Sequence, residues 1–437
     1  MRKYILIFLI LFCLIDLAFS QPASVWIKQT NSPTTYNLKK VFFVDSLYGW
    51  IIADSGLVFR TSDGGQNWIQ QYSNSSLNFQ DIFFLNRYKG WALAWHYDYN
   101  IYGSYIFSTT NGGLNWSSYL YPDTMVYANV ITFTSETNGY LGLVFPRPRV
   151  LLYTTNGGLN WLPSEIAQGL VSNFPITGIS FINQNTGIAV GGYIDITGVV
   201  WQTTNAGLYW VSQPVGAEPL WDICILDSNN LFASGGDFEY GISISHSTDF
   251  GSNWTYSWLE IFGMGLSIDF RTPNEGWIAS GFSEKLVYTT DAGARWQDIE
   301  SPDSTMITSL VFPNSYTGWA VGEQGTILKY SVSSSGINNK YSEIGDYSTV
   351  YNYPNPFNSS TTIRYQVLYP SFVKIELFDI NGKHIKTLRE EYQNTGTYNF
   401  KFYADDLPSG TYFYRLNIKQ NYDGKEFLKS GKMVLVK

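Results

Sequence analysis

The hydrophobic and polar positions of this chain alternate in short runs. After the first twenty residues, amphipathic stretches of ten or more residues at helical period are hard to find. The clearest regularity is a box, Phe-x-(Asp/Asn/Ser/Thr)-x-x-x-Gly-aromatic, found seven times. It begins at Phe43, Phe84, Phe133, Phe181, Ile225, Phe270 and Phe312, and ends at Trp50, Trp91, Tyr140, Ile188, Phe232, Trp277 and Trp319. Its third position (Asp45, Asn86, Ser135, Asn183, Asp227, Thr272, Asn314) offers a side chain that folds back onto a turn. Glycine follows in every copy but the fifth, where Leu231 stands. The box predicts strand, tight turn, strand.

A second box closes six of the units, running from Asp63 to Trp68, Asn111 to Trp116, Asn156 to Trp161, Asn205 to Trp210, Asp249 to Trp254 and Asp291 to Trp296. Its acid or amide caps a turn, its glycine takes a left-handed conformation, and its Trp packs back on the sheet. Burying each Trp is worth about 2–3 kcal/mol. Six copies suit a structural staple better than six active sites.

Together the boxes predict a four-stranded unit every 41 to 49 residues, the spacing of propeller blades. The seventh unit, 312–330, stops after three strands. The missing strand is Ser24-Val-Trp-Ile-Lys-Gln29, whose Trp26 lies one repeat length before Trp68. An N-terminal strand that completes the last blade closes the ring and removes an open edge. The expected fold is all-β, a seven-bladed propeller over 21–330 closed by an N-terminal strand.

A polar linker, 331–347, follows. Beyond it, 348–437 alternates as a small antiparallel sandwich, immunoglobulin-like in class, with an Asn-Gly hairpin turn at Gly382 and its last strand at the chain end.

Composition narrows the function. Aromatic residues make up 17% and charged residues 14%, and the net charge of -8 argues against a nucleic-acid partner. Residues 1–20 read as a signal peptide: Arg2 and Lys3, an apolar run broken by Asp16, then Ala18-Phe19-Ser20. That run is too short for a stable membrane span. Once it is removed, Cys224 is the one cysteine, within an apolar strand, and no intrachain disulfide can form. His96, His246 and His384 show no ligand spacing, and no cofactor motif occurs. Carboxylates that could converge are Asp81, Asp222 and Asp269, near the starts of first strands, where solvated rim positions explain them equally well.

Both boxes turn on one face, so longer segments fall on the other. The longest is Ala94–Tyr105 in the second blade, with Pro146–Arg149 in the third. Trp95, Tyr97, Tyr99, Tyr102, Arg147 and Arg149 are therefore the candidate ligand-binding residues, for stacking on sugars or contacting a protein. The alternative is packing of these aromatics between blades.

The second box resembles the Asp-box, or bacterial neuraminidase repeat. The paired boxes are similar to those of the photosystem II stability/assembly factor family and its bacterial relatives. In 348–437, Pro354-Asn355-Pro356-Phe357, the turn at Gly382, the Gly410 to Tyr412 segment and the ending at Lys437 resemble a type A sorting domain of the type IX secretion system. That resemblance implies a Bacteroidota-like Gram-negative source, handling by the secretion machinery through the periplasm, and an end point in the medium or on the outer-membrane surface. Asp-box propellers also include sialidases, which need several clamping arginines. Arg60, Arg87, Arg147, Arg149, Arg271 and Arg295 are the arginines of the propeller, and Arg60 and Arg295 lie beside Asp-box turns. The expectation is a non-enzymatic exported propeller that binds a protein or polysaccharide by its long-loop face, the alternative a glycoside hydrolase or lyase on the same scaffold.

Overall fold

The computed structural model describes residues 24–98, 101–144, 150–332, 350–367, 371–380, 382–394, 396–404, 406–420 and 426–437. The expected signal peptide lies outside them, as does the expected linker from 333 on, while 331 and 332 belong to the strand Ile327–Val332. The described residues fall into two compact units, one ending at 332 and one beginning at 350.

The first unit holds seven antiparallel sheets, six of them built from consecutive strands. Their first strands are neighbours in cyclic order, and Leu38–Phe43 of the first blade lies against Ile307–Val311 of the seventh. In the seventh blade Ser24–Lys28 forms the outer strand beside Ile327–Val332, with Trp26 opposite Tyr330. Chain start and chain end of the ring are thus bonded in one sheet.

The glycine of the first box is dictated by its phenylalanine. A Cβ on Gly49 would sit 2.5 Å from the Phe43 ring, and the same clash recurs at Gly90 with Phe84 and at Gly276 with Phe270. The fifth blade has Ile225 in place of Phe and, opposite it in the register, the fully buried Leu231 in place of Gly. The irregular copy is a paired substitution.

The aromatic that ends the box reaches into the next blade. Trp50 stacks on Phe84 at 3.5 Å, Trp91 on Phe133 at 3.5 Å, Tyr140 on Phe181 at 4.3 Å and Trp319 on Phe43 at 3.8 Å. The Trp50 and Trp91 indoles donate to the carbonyls of Gly112 and Gly157, and the Tyr140 hydroxyl to that of Ala206, all at 2.9 Å. Each acceptor belongs to the second box of the following blade, so the two boxes interlock around the ring. Within the second box the acid or amide accepts as expected: Asp63 Oδ1 takes the Asn67 amide at 2.9 Å. The Trp residues of this box pack edge-on against box phenylalanines, Trp68 on Phe43 at 5.9 Å and Trp116 on Phe84 at 5.9 Å.

One feature departs from the repeat. The outer strand of the third blade is only Leu162–Pro163, after which Glu165–Ile166 crosses to pair in parallel with Tyr209–Trp210. The fourth blade therefore has five strands. Under this addition Trp210 is fully buried, while its counterparts Trp68 and Trp116 are half-buried.

The second unit has a three-stranded sheet (Tyr351–Tyr353, Ser360–Val367, Gly396–Tyr403) and a four-stranded one (Ser371–Phe378, His384–Gln393, Gly410–Gln420, Glu426–Leu435) around one apolar core. The sequence motifs gather at its last strand. Asn355 donates to Lys432 O at 2.8 Å and accepts from Val434 N at 2.7 Å. Between the cis prolines Pro354 and Pro356, this side chain acts as an extra rung of backbone. Phe357 is buried, and its amide and carbonyl pair with Val434 and Val436. Gly382 takes φ 79° in a turn closed by Asp379 and Lys383, Tyr412 is buried with its hydroxyl on Pro408 O, and Lys437 N donates to Ser409 Oγ.

Candidate ligand-binding face and channel

Two concave sites emerge from the first unit. The first is a cavity of about 490 Å³ lined by the inner strands of the first five blades, on the ring axis. Each inner strand carries a bulge near its start, which aligns Lys40, Asp81, Val130, Gly178, Asp222, Ser267 and Ser309 as one ring of equivalent positions. Four of these fasten neighbouring blades. Asp81 Oδ2 accepts Ile131 N at 2.8 Å, Asp222 Oδ2 accepts Ile268 N at 3.1 Å, Ser267 Oγ accepts Leu310 N at 3.3 Å, and Ser309 Oγ accepts Val41 N at 3.4 Å. Lys40 occupies the same position in the first blade and pairs with Asp81 at 2.6 Å. Asp269, one step further along its strand, repeats the clasp with Phe270 N at 2.8 Å and Phe312 N at 2.7 Å.

The electrostatics follow from this burial. Burial works against the Lys40 charge, but Asp81 and Asp222 hold its ammonium above the ordinary range. Asp222 is raised by burial, partly offset by Lys40 and two amides. Burial pushes Asp269 up to about 7 against its two amide donors. Cys224 lies within 3.7 Å of Asp269 Oδ1, so it is not set among purely apolar neighbours. Burial first, and then Asp269 and Asp222, push its thiol well up, away from nucleophile chemistry. The three aspartates do not stand at a solvated rim. They are inter-blade clasps, and their carboxylate oxygens are engaged by backbone amides of two blades.

The second site lies on the opposite face from the boxes, between the fourth and fifth blades. It is a cavity of about 380 Å³ lined by Asp195, Ile196, Ala217, Glu218, Tyr240, Tyr256 and Trp258. Asp195 tops the hairpin 193–197 with φ 60°, and Glu218 sits in the connection between blades. Asp237 ends the strand Leu231–Asp237. Glu218 and Asp237 are buried, and Glu218 Oε2 accepts the Asp195 amide at 3.3 Å. Burial, with Asp237 and Asp195 nearby, raises the Glu218 carboxyl. The lining ring of Tyr256 packs against Gly216, where a Cβ would meet it at 2.1 Å.

Exposed apolar side chains stand at the hairpin tips of these two blades and the next, and Ile196, Tyr240 and Trp258 line the cavity. Ile194 and Ile196 tip the fourth-blade hairpin, Phe238 and Tyr240 the fifth, and Phe282 the sixth. Trp258, 51% exposed, meets Tyr240 at 5.5 Å and donates its indole N–H to Tyr240 O. The sequence reading passed over these residues because their hairpins are short. The available signal was apolar residues at hairpin tips, where polar turn residues are the rule.

The second-blade hairpin, Gly90–Asp98 with Ile101–Thr109, is the longest, as its sequence predicts. Trp95, however, turns toward the third blade: its indole donates to Ala128 O at 2.6 Å and meets Tyr127 edge-on at 5.7 Å. It packs between blades. Tyr97 pairs with Tyr102 across the hairpin, and Tyr102 is exposed. Tyr99, Arg147 and Arg149, and the side chain of Tyr97, lie outside the described residues.

Comparison with known proteins agrees with the boxes. Residues 227–331 match the family described as photosynthesis system II assembly factor YCF48, and 351–429 match the secretion system C-terminal sorting domain. Over 68 residues the chain is 37% identical to the photosystem II assembly lipoprotein Ycf48 of Trichormus variabilis, covering 15% of this chain and 20% of the relative. The chain thus matches about a fifth of that protein's length. The solved structure of YCF48 bound to D1 peptide superposes with a TM-score of 0.56 at 20% identity, covering 72% of this chain and 99% of the other. YCF48 from Cyanidioschyzon merolae gives 0.54 at 18%, covering 70% and 98%. The GH74 enzyme of Niastella koreensis gives 0.55 at 12%, covering 92% and 73%. At these identities the structural likeness is one of fold. No described helix is long and apolar enough to cross a membrane.

Proposed function

We propose that this is an exported, non-enzymatic propeller that captures a segment of an external protein on its hairpin face, delivered outside the cell by its sorting unit. The observation that carries the reading is the row of exposed apolar hairpin tips on three successive blades, with a cavity between two of them large enough to seat side chains. Exposed apolar side chains in such a group mark interaction sites, and Tyr and Trp suit a surface that must be wet when free and dry when bound. A propeller of similar fold is known with a bound peptide. The match to a secretion sorting domain supports the route, with the type IX machinery as first partner and the cell surface or medium as destination. The non-enzymatic part draws on the channel aspartates, which serve as clasps between blades.

A polysaccharide ligand, with or without hydrolysis, is the second reading. It draws on Tyr240 and Trp258 beside the Glu218 and Asp237 carboxylates. An oxygen of each lies within 4.8 Å of the other.

The test is to immobilise the purified chain and screen it against surface proteins of its source cells and a polysaccharide array, beside the variants Trp258→Ala and Phe238→Ser. Capture of a protein that both variants lose supports the reading. Binding unchanged in both removes this face from consideration, and release of sugar from any polysaccharide overturns the non-enzymatic assignment.

A further inference from the structure

We propose that Asp195, Glu218 and Asp237 form a binding site for a hard divalent cation of calcium type, joining the fourth and fifth blades. The three carboxylates come from separate segments: a hairpin tip, the connection between blades and the end of a strand. One oxygen of each lies within 4.8 Å of the others. An ion at their midst lies at most about 2.8 Å from each, so a shift of a few tenths of an ångström brings all three to the calcium–oxygen distance of about 2.3–2.6 Å.

Among the described residues, the two buried carboxylates also lack a counter-charge. Asp237 is 1% exposed; its Oδ1 accepts the amides of Glu239 at 2.9 Å and Tyr240 at 2.6 Å, while its Oδ2 is buried with no hydrogen-bond partner. Beside it Glu218 is 5% exposed and holds one long amide contact, from Asp195. Among the described residues no Lys, Arg or His forms an ion pair with any of the three. Two buried carboxylates facing each other without a cationic partner require a metal ion or a shared proton, because an unpaired buried charge is strongly disfavoured. Three carboxylate oxygens converging from separate segments are the hard oxygen set that a calcium-type ion takes. The remaining coordination positions open into the cavity, where water or a ligand oxygen completes the shell. This inference does not depend on what the hairpin face binds.

The experiment uses the full chain, stripped with chelator and dialysed. Expected are a rise in Tm of several degrees with millimolar calcium, reversed by chelator, and sensitised terbium emission on excitation of Tyr240 and Trp258. Asp195→Ala is the informative variant, because the exposed Asp195 contributes little to packing. It should weaken terbium binding tenfold or more and abolish the calcium-dependent shift. Asp237→Asn should do the same and, by removing the repulsion, raise the Tm of the metal-free protein. Two results overturn the proposal: no calcium-dependent shift together with no terbium emission, or emission and shift unchanged in Asp195→Ala. An Asp237→Asn variant that is more stable while calcium has no effect on the parent assigns the pair to a shared proton.

Discussion

Trp26 stands opposite Tyr330 in the register that joins the first described strand to the last strand of the propeller, and their rings meet at 5.2 Å. The same indole meets Trp277 at 5.7 Å and Phe312 at 5.5 Å, so one side chain binds the chain start to the sixth and seventh blades. It is 1% exposed. Trp26→Ala should therefore cost about 3–5 kcal/mol, read as a lowered urea midpoint. Deleting 24–28 should cost more, since it also opens the edge of the sheet. A deletion that melts like the parent would show the ring closed by other means.

Asp269 predicts a particular pH dependence. Its carboxyl titrates near 7 in the folded protein, against an ordinary value of 3.8. Between these values the folded state holds the proton and the unfolded chain does not, so this group's contribution to stability falls as pH rises from about 4 to about 7 and is level above. Asp269→Asn removes that dependence at the cost of one acceptor. The variant's Tm relative to the parent should climb through the same window and then plateau. A difference independent of pH would place the Asp269 carboxyl at its ordinary value.

How much of this was legible in the sequence depends on whether a residue's role is local. Asp45, which accepts the amides of Leu47 and Tyr48, announces its turn within four residues, and the repeat multiplies that signal. Trp26 was legible because a missing strand leaves a count one short. The roles of Asp81 and Asp222 were not, because the amides they accept, Ile131 and Ile268, belong to the next blade, 50 and 46 residues away. The Asp195, Glu218 and Asp237 cluster escaped for the same reason: three separate segments meet only when two blades close together.

Of the two roles open to Trp95 in the sequence, ligand contact and packing between blades, its contacts supply the second. Its half-buried indole holds the third blade through Ala128 O and Tyr127. Trp95→Ala should lower stability by about 2–3 kcal/mol, measured by thermal melts. Any ligand captured on the fourth and fifth blades should still bind with unchanged affinity.

In the second unit, Asn355 substitutes for a strand by pairing with Lys432 O and Val434 N. Both bonds are exposed, which places their combined value at about 1–2 kcal/mol. Asn355→Ala should lower the transition of this unit in calorimetry of the full chain by that amount and leave the propeller transition in place. Asn355→Asp keeps the acceptor and loses the donor, so it should fall between.

The fifth blade offers a sharper test of why the first box has the form it does. In the other blades Phe lies flat on Gly, and in this one Ile225 stands opposite Leu231 in the same register. Ile225→Phe alone drives a ring into the Leu231 side chain and should cost about 1–3 kcal/mol through overpacking. Leu231→Gly alone leaves a cavity at a fully buried position and loosens the strand, costing about 3–5 kcal/mol. Made together, the two changes recreate the pair found at Phe270 and Gly276. The double variant should then be more stable than the sum of the single effects by about 1–3 kcal/mol, the coupling expected of residues in direct contact. Additive costs in that cycle would mean that the glycine is held in place by the turn and not by the ring.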